Sequence, residues 1–368
     1  MTEERDISGF AFSFAVGILA AASIPFCASI LCTVTCIYVI IISAIFMGKY
    51  GSDGRHVISA HCCISLTAFA TGIVCMSTSL FISSGSLTDP GTVAGICRKF
   101  CRNLTYTISS IPFSHADTTA IMTALLTGDK SLLSNDVISA FSRSGASHIL
   151  ALSGLHLGII YGIINKLSGI AGGAPGSRRA ASLVNIALCG SYTMAVGAGA
   201  SIVRAFIFIV IYEAARISHR QVTLKHVLPT ALILQLATDP SAIRSVSFQL
   251  SYAAMTGIAY IYPVLRGFWP ESSKPAGRFS VRRIWETAAL SISCQMTTAP
   301  LAWHYFKSFP VNFLLSNLIA LPLTGVIIPL SILTIILHGT GLCPDILIRT
   351  VEGLTGMLLR SLTIISSM

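Results

Sequence analysis

Long apolar stretches separated by short polar segments run through most of the chain. A helix needs about 20 apolar residues to cross about 30 Å of hydrocarbon, so each such stretch predicts a membrane-spanning helix. The stretches lie near residues 9–25, 26–47, 57–82, 146–168, 180–198, 202–217, 227–239, 246–265, 284–306 and 311–337. The pattern therefore predicts an all-α polytopic integral membrane protein with about 10–11 transmembrane helices.

Two stretches near the C-terminus are less regular than the others. Pro322 and Pro329 are expected to bend or break the helix over 311–337, because proline lacks a backbone N–H. The last stretch, 344–366, is apolar but carries charged residues such as Arg349. It either spans the membrane or lies on its surface.

Residues 83–145 form one long stretch that is not apolar enough to span a membrane. Asp117 stands at the start of a helical pattern that Gly128-Asp129 ends. Ser134-Asn135-Asp136 can cap a further helix that begins near Val137. The stretch is therefore expected to be mainly helical. The chain divides into N-terminal transmembrane helices, an extracytoplasmic helical segment and a second transmembrane domain, at residues 1–82, 83–145 and 146–368.

Basic residues fall mainly on one side of this topology. Cytoplasmic loops of membrane proteins are enriched in lysine and arginine. With the N-terminus in the cytoplasm, the cytoplasmic loops contain Lys49, Arg55, Arg178, Arg179, Arg216, Arg220, Lys225, Arg266, Lys274, Arg278, Arg282 and Arg283. The opposite turns contain Arg244 and Lys307. This asymmetry predicts that residues 83–145 lie outside the cytoplasm.

The composition agrees with a lipid environment. Hydrophobic residues make up 53% of the 368 residues and charged residues 10%, with a mean hydropathy of +0.77. Globular proteins have about a quarter charged residues, so a water-soluble enzyme is excluded. The net charge of +10 resides in the loops, where it indicates topology rather than a DNA-binding patch.

Nine of the eleven cysteines lie in or beside apolar stretches and are expected to be small buried hydrophobes. Cys97 and Cys101 stand one helical turn apart outside the predicted spans. They could form a disulfide or contribute to a metal site, although two thiols supply only half the ligands of a zinc site.

A group of polar residues marks the fourth predicted span. On a continuous helix, Ser153 and His156 lie about 60° apart, on a face turned away from three glycines. Gly154, Gly158 and Gly162 recur every four residues, a spacing that lets membrane helices pack closely. His156 is expected to face protein or water rather than lipid, or to bond a neighbouring carbonyl and hold helices together.

Other polar residues lie within or beside the later spans. Arg204 follows a run of small residues, where it could bind a phosphate or extend to the membrane surface. Amides and hydroxyls occur within spans at Gln249, Ser251, Gln295 and Asn317.

Common nucleotide and metal motifs do not occur in the sequence. There is no Gly-x-x-x-x-Gly-Lys-Ser/Thr loop for ATP and no His-Glu-x-x-His helix for zinc. We therefore expect no cofactor and no metal ion, and we predict that the chain is not an enzyme.

Four blocks of the sequence resemble the ComEC family of competence membrane proteins. The first block runs from Gly128-Asp129 to the Ser-Gly-Leu-His-Leu-Gly segment at 153–158. The later blocks follow in the family's order at 201–205, 248–257 and 295–322. Four blocks in order are much more specific than a lone Ser-Gly-x-His segment.

This resemblance implies a multi-pass protein of the bacterial inner membrane, a channel through which single-stranded DNA enters the cytoplasm during natural transformation. The residues expected to line the channel or contact DNA are His148, Ser153, His156, Arg204, Gln249, Ser251, Gln295 and Asn317. Implied partners are single-stranded DNA, the lipid bilayer, an extracytoplasmic DNA receptor, cytoplasmic DNA-translocation or DNA-protecting proteins, and further copies of the chain in a homo-oligomer.

Larger members of the family resemble a three-part protein, with an extracytoplasmic oligonucleotide-binding barrel and a metallo-β-lactamase-like domain. Residues 83–145 are too short and too helical for that barrel, and no segment matches the second domain. The chain is therefore expected to be a short form that does not degrade the non-transported strand.

Two other functions remain open. An intramembrane serine hydrolase would use Ser153 as the nucleophile and His156 or His148 as the base. Against it, residues three apart on a rigid helix seldom point at each other, and no carboxylate is nearby to orient the histidine. A small-molecule transporter would show inverted repeats, and none is found in the sequence.

Overall fold

The computed structural model describes residues 2–22, 64–76, 91–170, 175–268, 278–307 and 312–367, and every regular element in these ranges is helical. The all-α class is thereby confirmed. The predicted span at 26–47 and the loop charges Lys49, Arg55 and Lys274 lie outside the described residues.

The α-helices are named here in chain order. They are α1 (Thr2–Ala22), α2 (Ile64–Met76), α3 (Gly91–Ser110), α4 (Ala116–Thr127), α5 (Asn135–Arg143), α6 (Gly154–Ile170), α7 (Pro175–Ala195), α8 (Ala200–Ile217), α9 (Leu224–Thr238), α10 (Val246–Thr256), α11 (Tyr262–Gly267), α12 (Arg278–Phe306), α13 (Phe313–Gly339) and α14 (Asp345–Ser366). A 3₁₀ turn covers Pro240–Arg244, and a π-helical turn at Gly257–Ile261 joins α10 to α11.

The chain forms two compact units, one from residues 1–90 and 210–252 and the other from residues 91–209 and 253–368. In the first unit, α1 packs against α9. It also crosses α2 at two glycines, because a Cβ at Gly17 or Gly72 would overlap the backbone of Phe69 or Phe14. Only glycine allows the two backbones to approach this closely.

The core of the second unit joins the segment before α6 to four helices. Ile121 of α4, Phe141 of α5, Ile327 of α13 and Leu358 of α14 are all fully buried in one cluster. Ile149 belongs to the same cluster. The segment that carries the first part of the family signature is therefore part of the core.

Residues 144–153 are a turn-rich loop rather than the start of a helix, so the prediction of a continuous span over 146–168 is wrong at its N-terminal end. Gly145 has a φ of 82°, which a right-handed helix does not accommodate. The loop is nevertheless apolar, because Ile149 and Leu150 are buried in the core. We call this segment the 144–153 loop.

The segment 91–145 is helical, as predicted for residues 83–145. Gly128 ends α4 in the left-handed conformation, with a φ of 77°. The Ser134 side chain accepts a hydrogen bond from the Val137 N–H, so the predicted segment supplies the cap, although α5 begins at Asn135 rather than near Val137. Asp117 lies in the first turn of α4 rather than at its cap, which is His115.

Helix α13 continues through Pro322 and Pro329, so the predicted break is absent. Proline is tolerated in membrane helices where neighbouring elements cover the backbone. Helices α3, α4, α6, α12 and α14 pack against α13 and provide such cover. Of the described helices, α13 alone is both long and apolar enough to cross a membrane by length and composition, and 7–22 and 64–76 are shorter apolar helices.

The structure has no disulfide at Cys101. The Cys101 Sγ donates to the Ala195 carbonyl oxygen at 2.7 Å. Within the described ranges no three or more His, Cys, Asp or Glu side chains gather in a group that could hold a metal ion. The absence of a metal in the functional protein stays a prediction.

Candidate functional site

The first turn of α6 is built around reciprocal contacts between Ser153 and His156. Ser153 precedes the helix, and its Oγ accepts a hydrogen bond from the Leu155 N–H at 3.3 Å. In return, the Ser153 N–H donates to Nδ1 of His156 at 3.3 Å. This arrangement resembles a capping box, with histidine in the position that glutamate or glutamine usually occupies. It differs in that Ser153 Oγ accepts the N–H of the second helical residue rather than the third.

Residues three apart on a rigid helix seldom point at each other, but this expectation does not hold for Ser153 and His156. The Oγ of Ser153 lies 3.1 Å from Nδ1 of His156. The expectation assumed a continuous helix, but Ser153 precedes the helix and is not part of it. Its side chain can therefore fold back over the first turn.

The contact of the Ser153 N–H with Nδ1 favours one tautomer of His156. Because Nδ1 accepts the Ser153 N–H, a neutral ring carries its proton on Nε2. The side chain is only 1% exposed, and Nε2 is buried with no hydrogen-bond partner among the described residues. The ring thus offers one N–H donor to a group that enters its surroundings.

Arg204 of α8 lies next to the start of α6. A Cβ built on Gly154 would lie 3.2 Å from Nη2 of Arg204 and 3.4 Å from Cβ of Ala205. The guanidinium carbon also lies 5.7 Å from the centre of the Phe208 ring, a cation–π distance. Arg204 is 6% exposed, so it does not extend to the surface as one of the two predictions allowed.

The three glycines of α6 differ in their surroundings. Gly154 lies against Arg204 and Ala205 of α8. A Cβ at Gly158 or Gly162 would have no neighbour within 4 Å among the described residues. The described residues therefore provide no packing partner for these two glycines, and the predicted helix packing there is untested.

Gly128 connects the first motif of the signature to the 144–153 loop. A Cβ at Gly128 would lie 2.7 Å from Cδ1 of Leu152, the residue before Ser153. The two motifs, which are separated by more than twenty residues in sequence, therefore meet in space.

The remaining predicted residues are spread more widely. Asn317 of α13 is 9% exposed, and its Oδ1 has no hydrogen-bond partner among the described residues. Its neighbour Ser316 donates to the Ser144 carbonyl at 2.6 Å and so ties α13 to the 144–153 loop. His148 is exposed in that loop, and Gln295 of α12 is half-buried.

Gln249 and Ser251 belong to the first compact unit. The Gln249 amide donates to the Ile243 carbonyl at 2.9 Å and so secures the 3₁₀ turn before α10. Ser251 is half-buried on α10. The structure thus gives Gln249 a local structural contact.

The sequence reasoning missed a buried amide cluster between α6 and α7. Asn185 is fully buried, and its Nδ2 donates to Oδ1 of Asn165 at 3.2 Å. The Ser168 hydroxyl donates to Oδ1 of Asn185 at 3.3 Å. Asn165 and Ser168 are three residues apart on one helix face, which is the signal that could have identified the pair.

Residues 125–368 match the family described as "Competence protein". The chain belongs to the competence protein family. Membership supports a membrane location and a role in competence. The match begins at the end of α4, so it includes Gly128, the 144–153 loop and every helix from α5 onward.

A curated relative extends this comparison. The chain is 25% identical over 223 residues to "ComE operon protein 3" of Bacillus subtilis (strain 168), which covers 60% of this chain and 26% of that protein. The chain therefore spans about a quarter of the relative's length. No solved structure matches the chain.

Proposed function

We propose that this competence-family protein is a multi-pass protein of the bacterial inner membrane and forms a path for single-stranded DNA during natural transformation. The membrane part of the proposal rests on one observation. On helices of the second unit, apolar side chains are exposed and polar side chains are buried, which is the reverse of a water-soluble protein. On α7, Leu183 is 62% exposed whereas Asn185 is fully buried. On α13, Ile336 is 58% exposed whereas Thr324 is fully buried.

The same reversal occurs on α12. Met296 and Trp303 are more than half exposed, whereas Ser291 and Ser293 are buried. Large contiguous apolar surface is unfavourable in water but matches lipid. These helices therefore favour the bilayer even though α13 alone meets the length and composition requirement among the described helices.

Three buried hydroxyls, those of Thr193, Ser293 and Thr324, fit this environment because each is satisfied within its own helix. Thr193 donates to the Cys189 carbonyl at 2.8 Å, Ser293 to that of Ala289 at 2.7 Å, and Thr324 to that of Ala320 at 2.7 Å. Such bonds let a polar side chain lie inside a membrane protein without an unsatisfied hydroxyl.

The DNA part of the proposal rests on family membership and on two buried polar atoms. Nε2 of His156 and Oδ1 of Asn317 are buried and have no partner among the described residues. Buried polar atoms normally bind a partner, so these atoms are suited to a transient ligand or water. We include Ser153, His156, Arg204 and Asn317 in the path.

His148 and Gln295 are further candidates for the path in the second unit, and Gln249 and Ser251 in the first. The chain would act without a cofactor or catalytic activity of its own. It would receive DNA from an extracytoplasmic receptor and pass it to cytoplasmic translocation or DNA-protecting proteins. Further copies of the chain could complete the path in a homo-oligomer.

A gene deletion tests the proposal directly. Cells that lack the gene are given fluorescent DNA, and surface-bound DNA is distinguished from DNA in the cytoplasm by its resistance to added nuclease. We expect surface binding to persist and nuclease-resistant DNA to disappear, with restoration by the parent gene. Normal cytoplasmic DNA in the deletion strain would contradict the proposal.

The 3.1 Å contact between Ser153 and His156 favours one second candidate, an intramembrane serine hydrolase. No described carboxylate bonds to the His156 ring, so a third member that orients the base is missing from the described residues. Substitutions of Ser153 and His156 separate the two functions, because a helix cap and a catalytic dyad respond differently to them.

A further inference from the structure

A cleft of about 940 Å³ lies between α3 and the end of α4, in the segment predicted to face the cell exterior. Its α3 wall includes Arg102, Thr105, Tyr106 and Ser109, and its α4 wall includes Thr127 and Asp129. Sites of about 300–1,000 Å³ accommodate small organic ligands, so the cleft has room for a nucleotide. We call it the α3–α4 cleft.

Cationic and aromatic side chains share one face of α3. Lys99, Arg102, Tyr106 and Ser109 are spaced by three or four residues and therefore lie along the same side of the helix. Tyr106 is 78% exposed, and Lys99 and Arg102 are also exposed. Neither cation forms an ion pair with a described residue.

The opposite wall is polar and held in place by local hydrogen bonds. The Thr127 hydroxyl donates to the Thr123 carbonyl at 2.7 Å and accepts the Asp129 N–H at 3.2 Å. Oδ1 of Asp129 accepts the Ser131 N–H at 2.9 Å. This wall presents a fixed carboxylate opposite the aromatic ring and the cations.

This combination fits a strand of nucleotides better than the other ligands of similar chemistry. Single-stranded nucleic acids bind where aromatic rings stack on bases and cations follow the phosphates. The carboxylate of Asp129 would repel a lone phosphate, but it can accept hydrogen bonds from base amino groups. A membrane-surface helix would instead present a convex apolar face, whereas this face lines a concave space with hydroxyls.

We propose that the α3–α4 cleft binds single-stranded DNA on the outer side of the membrane. Tyr106 stacks on a base, Arg102 and Lys99 pair with the flanking phosphates, and Asp129 meets the edge of the base. The inference rests on the proposed function and adds to it a first contact site that precedes the membrane path.

Binding is measured with the full chain in nanodiscs of zwitterionic phosphatidylcholine, using fluorescein-labelled dT12 and dA12 and fluorescence anisotropy. Tyr106→Ala should weaken binding by about 5- to 100-fold, because each stacked base contributes strongly to affinity. Tyr106→Trp should restore it, since indole also stacks. Arg102→Ala should lower the slope of log Kd against log salt by about one.

Two exposed residues of the same unit outside the cleft serve as matched controls. Arg143→Ala removes an exposed arginine of α5, and Tyr260→Ala removes a tyrosine that is 47% exposed. Both should bind the oligonucleotides as the parent does. An oligonucleotide with 5-iodouracil should also crosslink to Tyr106 on irradiation, which provides a readout independent of affinity.

Absence of binding by the parent, or equal binding by the parent, Tyr106→Ala and Arg102→Ala, would overturn the cleft proposal. The cleft proposal would also be overturned if these substitutions changed only the flotation of the protein with anionic vesicles. Such a result would make α3 a membrane-surface helix. The proposed function fails separately, if deletion of the gene leaves DNA uptake intact. Oligonucleotide binding at the cleft can be measured in either case.

Discussion

Leu152 lies directly over Gly128, and a Cβ on the glycine would come within 2.7 Å of the leucine Cδ1. Gly128 also has a φ of 77°, in the left-handed region that favours glycine. The left-handed backbone and the contact with Leu152 thus each require glycine at position 128. The contact sets where the end of the 144–153 loop passes the C-terminus of α4, and so where Ser153 and α6 begin.

Replacement of Gly128 by alanine should destabilise the protein through both requirements. We expect a loss of about 2–5 kcal/mol, from the left-handed backbone and from the overlap with Leu152. Thermal unfolding in detergent measures the loss. Gly341→Ala is the matched control, because Gly341 has a φ of 72° but no neighbour within 4 Å of a Cβ, and it should lose only about 1–2 kcal/mol. Equal losses at the two positions would contradict a role for the Leu152 contact.

The hydropathy pattern placed several helices well. It predicted spans at 180–198 and 202–217, and the structure has Pro175–Ala195 and Ala200–Ile217. The pattern failed at residues 146–153. The apolar residues Ile149 and Leu150 are buried in the core as part of a loop and not as part of a helix. Hydrophobicity alone does not distinguish these two causes.

The geometry of the Ser153 and His156 pair shows the same limit of prediction from sequence. The sequence identified Ser153 and His156 as a functional pair but assumed a helical geometry that keeps their side chains apart. Recognition of Ser153 as a cap would have required knowing that the helix begins at Gly154. The contact between Gly154 and Arg204 depends on how α6 packs on α8, and packing is not encoded in local periodicity.

The glycines of α6 give a second prediction. Gly154→Leu should cost about 1–3 kcal/mol and reduce the yield of folded protein, since the side chain would enter the space of Arg204 and Ala205. Gly158→Leu should change stability by less than about 0.5 kcal/mol, because the position is open. Both are measured by detergent size-exclusion and thermal unfolding. Equal damage at Gly158 would reveal a packing partner beyond the described residues.

The predicted topology can be tested at two exposed serines. Ser131 lies between α4 and α5, outside the cytoplasm in the predicted orientation, and Ser218 lies in the cytoplasmic turn after α8. In a background without reactive native cysteines, Ser131→Cys should react with an impermeant maleimide added to intact cells. Ser218→Cys should react only after permeabilisation. The reverse labelling pattern would invert the orientation derived from the loop charges.

The Ser153 and His156 pair allows a test that separates a helix cap from a catalytic dyad. Ser153→Ala should cost about 0.5–2 kcal/mol through loss of the cap, while folded protein retains most of its DNA uptake. His156→Gln should be more stable than His156→Ala, because glutamine is a usual partner of a serine cap and can accept the Ser153 N–H. Thermal unfolding and the nuclease-resistant uptake assay measure these two effects.

A hydrolase gives a different result with the same variants. His156→Gln would be as inactive as His156→Ala, since the amide cannot act as a base, and Ser153→Ala would be inactive although folded. A serine-directed fluorophosphonate would also label Ser153 of the parent and not Ser153→Ala. Labelling of the parent, together with loss of uptake in a stable Ser153→Ala protein, would favour the enzyme. Without labelling and with uptake retained, the 3.1 Å contact is a helix cap at the start of the proposed path.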